Sequence, residues 1–171
     1  MLKIDTIMVP MDGSDSSMHA LAKAAEIAEE HDSKILLVHV VDGQSLFSYS
    51  YAAIPQASEK LVKMAEEREA VEDANTGEGL KEAQKAFQEL AQQHGEDMLG
   101  MAAETLPKNI KVETEYAVGS PKRYLVEYAE EQQADLIVMG CSGMGALASL
   151  MLGSVSSYVI AHAKCPVLTV K

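Results

Sequence analysis

Asp135-Leu136-Ile137-Val138-Met139-Gly140-Cys141-Ser142-Gly143, followed after nine residues by Gly153-Ser154, is the stretch that decides the fold class of this chain. An apolar run that ends in glycines predicts a buried strand and a tight loop, and the spacing of apolar residues from Val155 onward predicts a helix directly after it. Glycines let backbone amides approach an anion closely, and a helix start offers unpaired N–H groups and a positive dipole end. Nucleotide binding is therefore the leading hypothesis.

Apolar runs alternate with helical patterns along the rest of the chain. Strands are predicted at residues 4–9, 35–41, 112–118, 136–139 and 166–170, with helices between them. The second run is almost continuously apolar, which is typical of a strand buried on both faces. Helix starts are predicted at 14–16 and at Ser120-Pro121 from their capping chemistry. We therefore predict an α/β fold, a five-stranded parallel sheet with helices on both faces.

Three segments follow the ends of predicted strands, namely 10–14, 40–42 and 140–143. In a parallel sheet the carboxyl ends of the strands meet at one edge, and ligands bind there near the switch in strand order. We therefore expect these segments to converge on one edge of the sheet. Their convergence would indicate a binding site more strongly than any one loop does.

The length of 171 residues predicts a single domain, 1–171, with an expanded loop-helix segment at 43–107. This segment contains two helical patterns, one around Leu61 and one from Leu80 to Met98, and a predicted break at 75–79 separates them. Two interpretations of the segment stay open. It is either a longer crossover helix with a surface loop, or a mobile flap whose aromatic residues touch the ligand.

The composition argues against several classes of protein. The net charge of −12 argues against a nucleic-acid partner, because such binding normally needs a basic stripe. No apolar run approaches the roughly 20 residues that span a bilayer, and the N-terminus lacks the apolar core of a signal peptide. Two distant cysteines, Cys141 and Cys165, indicate neither a disulfide framework nor a zinc site. We therefore expect a cytoplasmic protein with no membrane partner.

Three motifs together resemble one known family. They are Val9-Pro10-Met11-Asp12-Gly13-Ser14, the pattern Gly-x2-Gly-x9-Gly-Ser from Gly140 to Ser154, and Cys165-Pro166-Val167. Over nearly its whole length the chain looks like a universal stress protein of the ATP-binding type. The resemblance implies a Rossmann-like sheet of the adenine nucleotide alpha-hydrolase-like type and ATP as the bound nucleotide. It also implies a homodimer through the C-terminal strand, an exposed edge that is a template for pairing.

The resemblance further implies roles for individual residues, none of them catalytic or metal-binding. Asp12 would contact the ribose or adenine, and Pro10 and Val40 would flank the adenine. The other cofactor-binding positions that the resemblance implies are Met139, Gly140, Gly143, Gly153, Ser154, Val155 and Ser156. The glycines and serines among them would face the ribose and phosphates. Two structural alternatives stay open, a tight turn for the first two glycines and a helix-capping or turn role for Asp12.

The segment expected to lie near the phosphates departs from the family pattern. Basic residues that many members carry before the third glycine are missing from 146–152. It is therefore open whether AMP or ADP binds as well as ATP, and whether magnesium accompanies the phosphates. The chain has no Walker motif and no lysine or arginine near the loop that would act on a γ-phosphate.

The leading hypothesis is an ATP-binding protein of stress response or signalling that binds nucleotide without efficient turnover. One alternative is an enzyme, a slow ATPase or a nucleotidyl transferase. The other is a nucleotide-free dimeric interaction module. Linear product formation would distinguish the enzyme from a binding protein, and the absence of any bound nucleotide would favour the interaction module.

Overall fold

The computed structural model describes residues 3–42, 77–141 and 152–171. Its strands are β1 (Thr6–Pro10), β2 (Lys34–Val41), β3 (Val112–Val118), β4 (Leu136–Gly140) and β5 (Val167–Val170). Its helices are α1 (Asp15–His31), α2 (Gly77–Glu104), α3 (Pro121–Glu131) and α4 (Ser154–His162). Within the described ranges, no helix is long and apolar enough to cross a membrane. The five predicted strands are confirmed, with small shifts at their ends.

All five strands run parallel, in the order β3-β2-β1-β4-β5. Met8 at the centre of β1 pairs with Leu36 of β2 on one side and with Ile137 of β4 on the other. The chain places β2 and β3 on one side of β1 and then crosses to place β4 and β5 on the other side. The strand order therefore reverses between β1 and β4, which creates a crevice at their carboxyl ends. The predicted fold class is confirmed.

Alternate residues of the central strands belong to two apolar cores, because successive side chains of a strand point to opposite faces. One core joins the sheet to α1 and to the C-terminal part of α2, and the other joins it to α3 and α4. The sheet residues buried in the first core are Ile7, Val9, Ile35, Leu37 and Val138, and those in the second are Met8, Leu36, Val38, Ile137 and Met139. Full burial of such a side chain contributes about 1.5–3 kcal/mol. The buried central strands therefore hold the residues at their ends in defined positions.

A capping serine in α1 and a proline at the first position of α3 explain where these two helices begin. Ser14 is the N-cap of α1, and its Oγ accepts a hydrogen bond from the N–H of Ser17 at 3.2 Å. Helix α3 begins at Pro121, directly after its N-cap Ser120. Proline suits this first position because its missing N–H would have no partner within the helix. Both predicted helix starts are confirmed.

The chain divides into two compact units. The sheet unit comprises residues 1–42 and 96–171, and the second unit comprises residues 43–95. Of the second unit the structure describes residues 77–95, which belong to α2. The predicted helix from Leu80 to Met98 is confirmed, although α2 already begins at Gly77, inside the predicted break. The helical pattern around Leu61 and the aromatic residues of the suggested flap lie outside the described residues.

Candidate functional site at the carboxyl edge of the sheet

The carboxyl ends of β1 and β4 hold most of the residues that the sequence singles out. Pro10 and Gly140 are the last residues of these neighbouring strands, and Val40 is the last but one residue of β2, on the other side of β1. The turn after β1 carries Asp12. The expected convergence on one edge is thus seen for the described parts of all three segments, whereas Gly143 lies outside the described residues.

The turn between β1 and α1 orients the carboxylate of Asp12. Gly13 has a φ of 79°, a left-handed conformation that glycine adopts without strain. Oδ1 of Asp12 accepts hydrogen bonds from the backbone N–H of Ser14 at 3.0 Å and from its hydroxyl at 2.5 Å. Within the described part of the chain, no donor bonds the second oxygen, Oδ2. Asp12 is therefore a turn residue through one oxygen, and its other oxygen remains an acceptor for a ligand.

Serine side chains extend this network into the first turn of α1. The hydroxyl of Ser14 donates to Asp12, accepts from the N–H of Ser17 at 3.2 Å, and lies 3.1 Å from the hydroxyl of Ser16. The hydroxyl of Ser17 donates back to the carbonyl of Ser14 at 2.8 Å. The carboxylate is thus coupled to the start of the helix. Its orientation depends on the same serine that caps α1.

The backbone of the same turn is tied to β2. The N–H of Met11 donates to the carbonyl of Val38 at 2.8 Å, and the carbonyl of Met11 lies 2.7 Å from Nδ1 of His39. Because a carbonyl can only accept, Nδ1 carries the proton in this contact. The ring of His39 also lies beside Tyr116, with ring centroids 5.9 Å apart. His39 therefore helps to hold the turn that presents Asp12.

Gly140 lies against the first turn of α1. A Cβ added to Gly140 would stand 2.5 Å from Oγ of Ser16, 2.9 Å from its carbonyl carbon and 3.0 Å from its Cβ. Side chains do not tolerate such distances to a neighbouring backbone without a shift of one of the two elements. The packing of α1 on β4 therefore requires glycine at this position, independently of any ligand.

The two ends of the segment between β4 and α4 meet at Cys141. Its N–H donates to the carbonyl of Val170 in β5 at 2.8 Å. Its carbonyl accepts from the N–H of Gly153 at 2.8 Å and from the hydroxyl of Ser156 at 3.0 Å. Ser156 is buried, and its hydroxyl also lies 3.0 Å from the carbonyl of Gly153. The hydroxyl of Ser156 is therefore directed at backbone carbonyls.

The start of α4 presents backbone donors toward the same edge. Its N-cap is Gly153, with φ −62° and ψ 158°, and no side chain caps the helix. The N–H of Ser157 makes the first bond within the helix, to the carbonyl of Gly153. The N–H groups of Ser154 and Val155 precede that bond and have no partner inside the helix. No acidic residue stands in this first turn, so oriented amides and the helix dipole favour an anion here.

Apolar residues border the edge beside these polar groups. Pro10 and Val40 are half-buried, whereas Met139 is only 4% exposed and belongs to the core under α3 and α4. Pro10 and Val40 can therefore offer apolar surface to a flat ring. Met139 instead supports the site from within the core, directly before Gly140.

Other parts of the described structure are less suited to a ligand. Among the described residues, no group of three or more His, Cys, Asp or Glu side chains could hold a metal ion. Neither Cys141 nor Cys165 forms a disulfide, and burial raises the pKa of the Cys165 thiol. A cavity of about 170 Å³ lies beside Ala134 and Cys165, which precede β4 and β5. It therefore lies at the opposite, amino edge of the sheet.

Sequence reasoning missed two contacts that shape the site, the approach of Ser16 to Gly140 and the bond from His39 to Met11. Both join residues that are distant in sequence, and neither carries a local signature. The hydrogen bond between Ser14 and Asp12, in contrast, could have been predicted from the local sequence. An aspartate with a serine two residues later commonly forms this kind of turn.

Comparison with known proteins identifies the family. The sequence description of the universal stress protein family matches residues 3–171. This chain belongs to the universal stress protein family. Universal stress protein MJ0531 of Methanocaldococcus jannaschii is 34% identical to it over 165 residues, which cover 96% of this chain and 81% of the relative. The predicted family resemblance is confirmed.

Solved structures show the same fold. UspA of Lactobacillus plantarum matches all of this chain and is itself matched completely, with a TM-score of 0.64 and 24% identity. A universal stress protein solved in complex with cAMP has a TM-score of 0.54 and 25% identity, and the match covers 99% of this chain and 98% of that one. A family member from Arabidopsis thaliana, solved with AMP bound, has a TM-score of 0.57 and 20% identity over 98% of this chain and 91% of its own.

Proposed function

We propose that this protein binds an adenine nucleotide, with ATP among its ligands, as a cytoplasmic protein of stress response or signalling. One observation carries the proposal. Two groups lie at the same edge of the sheet, on either side of the switch in strand order. One is the start of α4, which has no side-chain cap and is bonded to the end of β4. The other is the Oδ2 oxygen of Asp12, in the turn after β1. They offer one ligand a donor set for phosphate and an acceptor for sugar hydroxyls. The relative that was solved with cAMP supports this class of ligand.

Each part of an adenine nucleotide has a counterpart at the edge. The apolar surfaces of Pro10 and Val40 suit the adenine ring, and Oδ2 of Asp12 suits a ribose hydroxyl. The phosphates would take the N–H groups of Ser154 and Val155. The sequence pattern adds Gly140, Gly143 and Gly153 as positions where the backbone approaches the ligand, and Ser156 contributes its backbone N–H. Magnesium, if bound, would be held through the phosphates.

Binding is tested first on the protein as purified. Nucleotide released by denaturation is identified by mass spectrometry, and the stripped protein is titrated with ATP and magnesium by calorimetry. The matched variants are Asp12→Asn and Asp15→Asn, which remove the same charge from positions three residues apart. An asparagine at position 12 can keep the bonds from Ser14 but cannot offer the second acceptor, so we expect its affinity to fall by about tenfold or more.

The control outcome at Asp15 follows from its exposure in the first turn of α1. We expect Asp15→Asn to change the affinity by less than about twofold. Equal gains in the two variants would mean that net charge, and not the orientation of Asp12, governs binding, because each variant removes a negative charge that repels an anionic ligand. A stripped wild-type protein that gives no heat with any adenine nucleotide at millimolar concentration contradicts the proposed function.

We propose that the protein binds nucleotide without efficient turnover. The competing hypothesis is a slow ATPase. Release of inorganic phosphate from ATP is measured over time with the wild-type protein and with Asp12→Asn. Phosphate release at the same rate in both, and at the rate of a protein-free control, supports a binding protein. Linear release that is lost in the variant supports a slow ATPase instead.

We also propose a homodimer that pairs through β5. This strand is at one edge of the sheet, Leu168 on it is 38% exposed, and Ile160 of the adjacent α4 is 45% exposed. An exposed edge strand is a template for pairing with another chain. Leu168→Lys is expected to yield monomers in sedimentation equilibrium at micromolar concentration. Val118→Lys, on the other edge strand β3, should leave the dimer intact, and a monomeric wild-type protein contradicts the proposal.

A further inference from the structure

The carboxyl edge of the sheet is poor in positive charge. Residues 4–22, 35–59 and 124–163 contain no lysine and no arginine. These three segments include β1, β4 and the whole of β2 after Lys34 at its amino end, together with the residues that follow each strand in the sequence. Asp12 in the turn after β1 and Asp15 in the first turn of α1 add negative charge at this edge. The chain as a whole carries a net charge of −12.

Among the described residues, the cations at this edge follow the outer strands. Lys122 and Arg123 follow β3, which β2 separates from β1, so two strand spacings of about 4.8 Å lie between them and the crevice. Arg123 is also paired with Glu127 at 3.8 Å. Lys171 follows β5, next to β4, and its side chain is exposed. Within the part of the chain that the structure describes, the start of α4 can therefore attract phosphate largely through backbone amides.

We propose that this site selects adenine nucleotides by their phosphate charge and prefers a single phosphate, as in AMP or cAMP, to magnesium-free ATP. This inference rests on the nucleotide site proposed above. A helix start offers the equivalent of roughly half a positive charge, which suits one phosphate group. Each further phosphate adds negative charge without a lysine or arginine in these segments to balance it. ATP therefore binds as its magnesium complex, in which the metal offsets the added charge.

The test is a set of calorimetric titrations of the stripped protein with AMP, cAMP and ATP, first in the presence of a chelator and then with excess magnesium. With the chelator we expect AMP or cAMP to bind about tenfold more tightly than ATP. Magnesium should close most of that gap. High salt should narrow it as well, because the repulsion is screened over a shorter distance. Chelated ATP that binds as tightly as AMP overturns the proposal.

Two lysine variants separate local charge from net charge. Ser154→Lys places a cation at the exposed first residue of α4, and Asn109→Lys places one at an exposed turn before β3, at the amino edge of the sheet. We expect Ser154→Lys to raise the affinity for chelated ATP at least about threefold more than that for AMP, and Asn109→Lys to change neither by more than about twofold.

The possible failures of the two proposals differ. If no adenine nucleotide binds to the wild-type protein, the nucleotide site itself is wrong. If AMP and ATP bind with equal affinity in the presence of the chelator, the nucleotide site is supported and the proposed selection by phosphate charge is wrong. Equal gains for ATP in Ser154→Lys and Asn109→Lys would also overturn the selection, because they would trace the effect to net charge alone.

Discussion

Gly140 at the end of β4 and Ser16 in the first turn of α1 are in such close contact that a Cβ on the glycine would lie 2.5 Å from the serine hydroxyl oxygen. The family pattern assigns this glycine to the ligand, and the packing of the protein requires it as well. Loss of binding in a Gly140 variant would therefore not show by itself that the glycine touches a nucleotide. The substitutions at Asp12 and Asp15 provide a cleaner test.

Gly140→Ala is expected to destabilise the protein by about 1–3 kcal/mol, the usual cost of forcing extra volume into a packed contact. The free energy of unfolding from denaturant titration measures it. Gly119→Ala is the control, because a Cβ at Gly119 meets no atom within 4 Å. Adding Ser16→Gly to Gly140→Ala should restore part of the loss, since it removes the two side-chain atoms, Oγ at 2.5 Å and Cβ at 3.0 Å, and leaves only the backbone carbonyl carbon at 2.9 Å. An unchanged stability in Gly140→Ala would contradict the contact.

Gly100→Ala is expected to stabilise the protein by about 0.5–1 kcal/mol. Gly100 lies inside α2, is exposed, and leaves open space where a Cβ would be, so alanine gains helix propensity without a clash. Thermal unfolding monitored by circular dichroism measures the gain. Gly13→Ala should have the opposite effect, because Gly13 has a φ of 79° that alanine adopts only with strain.

Ser156→Ala is expected to lower the free energy of unfolding by about 1 kcal/mol relative to Ser157→Ala, because only Ser156 is buried and donates to the carbonyl of Cys141. The comparison removes the gain in helix propensity that both alanines share. Nucleotide affinity should fall with the stability, since the start of α4 is held through this bond. A loss of affinity with equal stabilities would indicate instead that the hydroxyl bonds the phosphate.

Tyr124→Phe is expected to make the free energy of unfolding depend less steeply on pH above about pH 10. Burial, followed by the 2.7 Å hydrogen bond to Glu115 and the charge of that carboxylate, raises the pKa of Tyr124 above 10.0. In the unfolded chain the tyrosine ionises near pH 10, while in the folded protein it keeps its proton. The stabilising contribution is therefore complete below about pH 10 and is lost as the pH rises further.

The measurement is the free energy of unfolding at a series of pH values from 8 to 11, with tyrosinate absorbance as a direct readout. In Tyr124→Phe the protein should be less stable at pH 8, since the bond to Glu115 is gone, and its stability should fall less steeply above about pH 10. Some decline should remain, because burial also raises the pKa of Tyr128. Identical slopes in both proteins would contradict the raised pKa of Tyr124.

Local patterns were sufficient to predict the elements of the fold. The run from Ile35 to Val41 marks a doubly buried strand by its continuous apolar character, and Ser120-Pro121 marks a helix start by the geometry of proline. The strand order could not be predicted in the same way, because the pattern along one strand does not indicate which strand lies beside it. The alternation of strands and helices predicted a parallel sheet, and the family resemblance implied the same kind of sheet.

The candidate site was predictable where its chemistry is local. Asp12 lies in the turn after β1 and Gly140 ends β4, directly after an apolar run, so both could be named from the sequence. The closeness of Ser16 to Gly140 and the direction of the Ser156 hydroxyl could not, because both depend on how helices α1 and α4 pack beside the end of β4. Such contacts arise from tertiary packing, which no window of sequence contains.

The carbonyl of Cys141 accepts from both Gly153 and Ser156, and it is a backbone atom that any residue at this position would supply. The link between the end of β4 and the start of α4 therefore does not depend on the side chain at position 141. Natural variation or protein engineering could therefore change the side chain at this junction without loosening the attachment of the helix to the sheet.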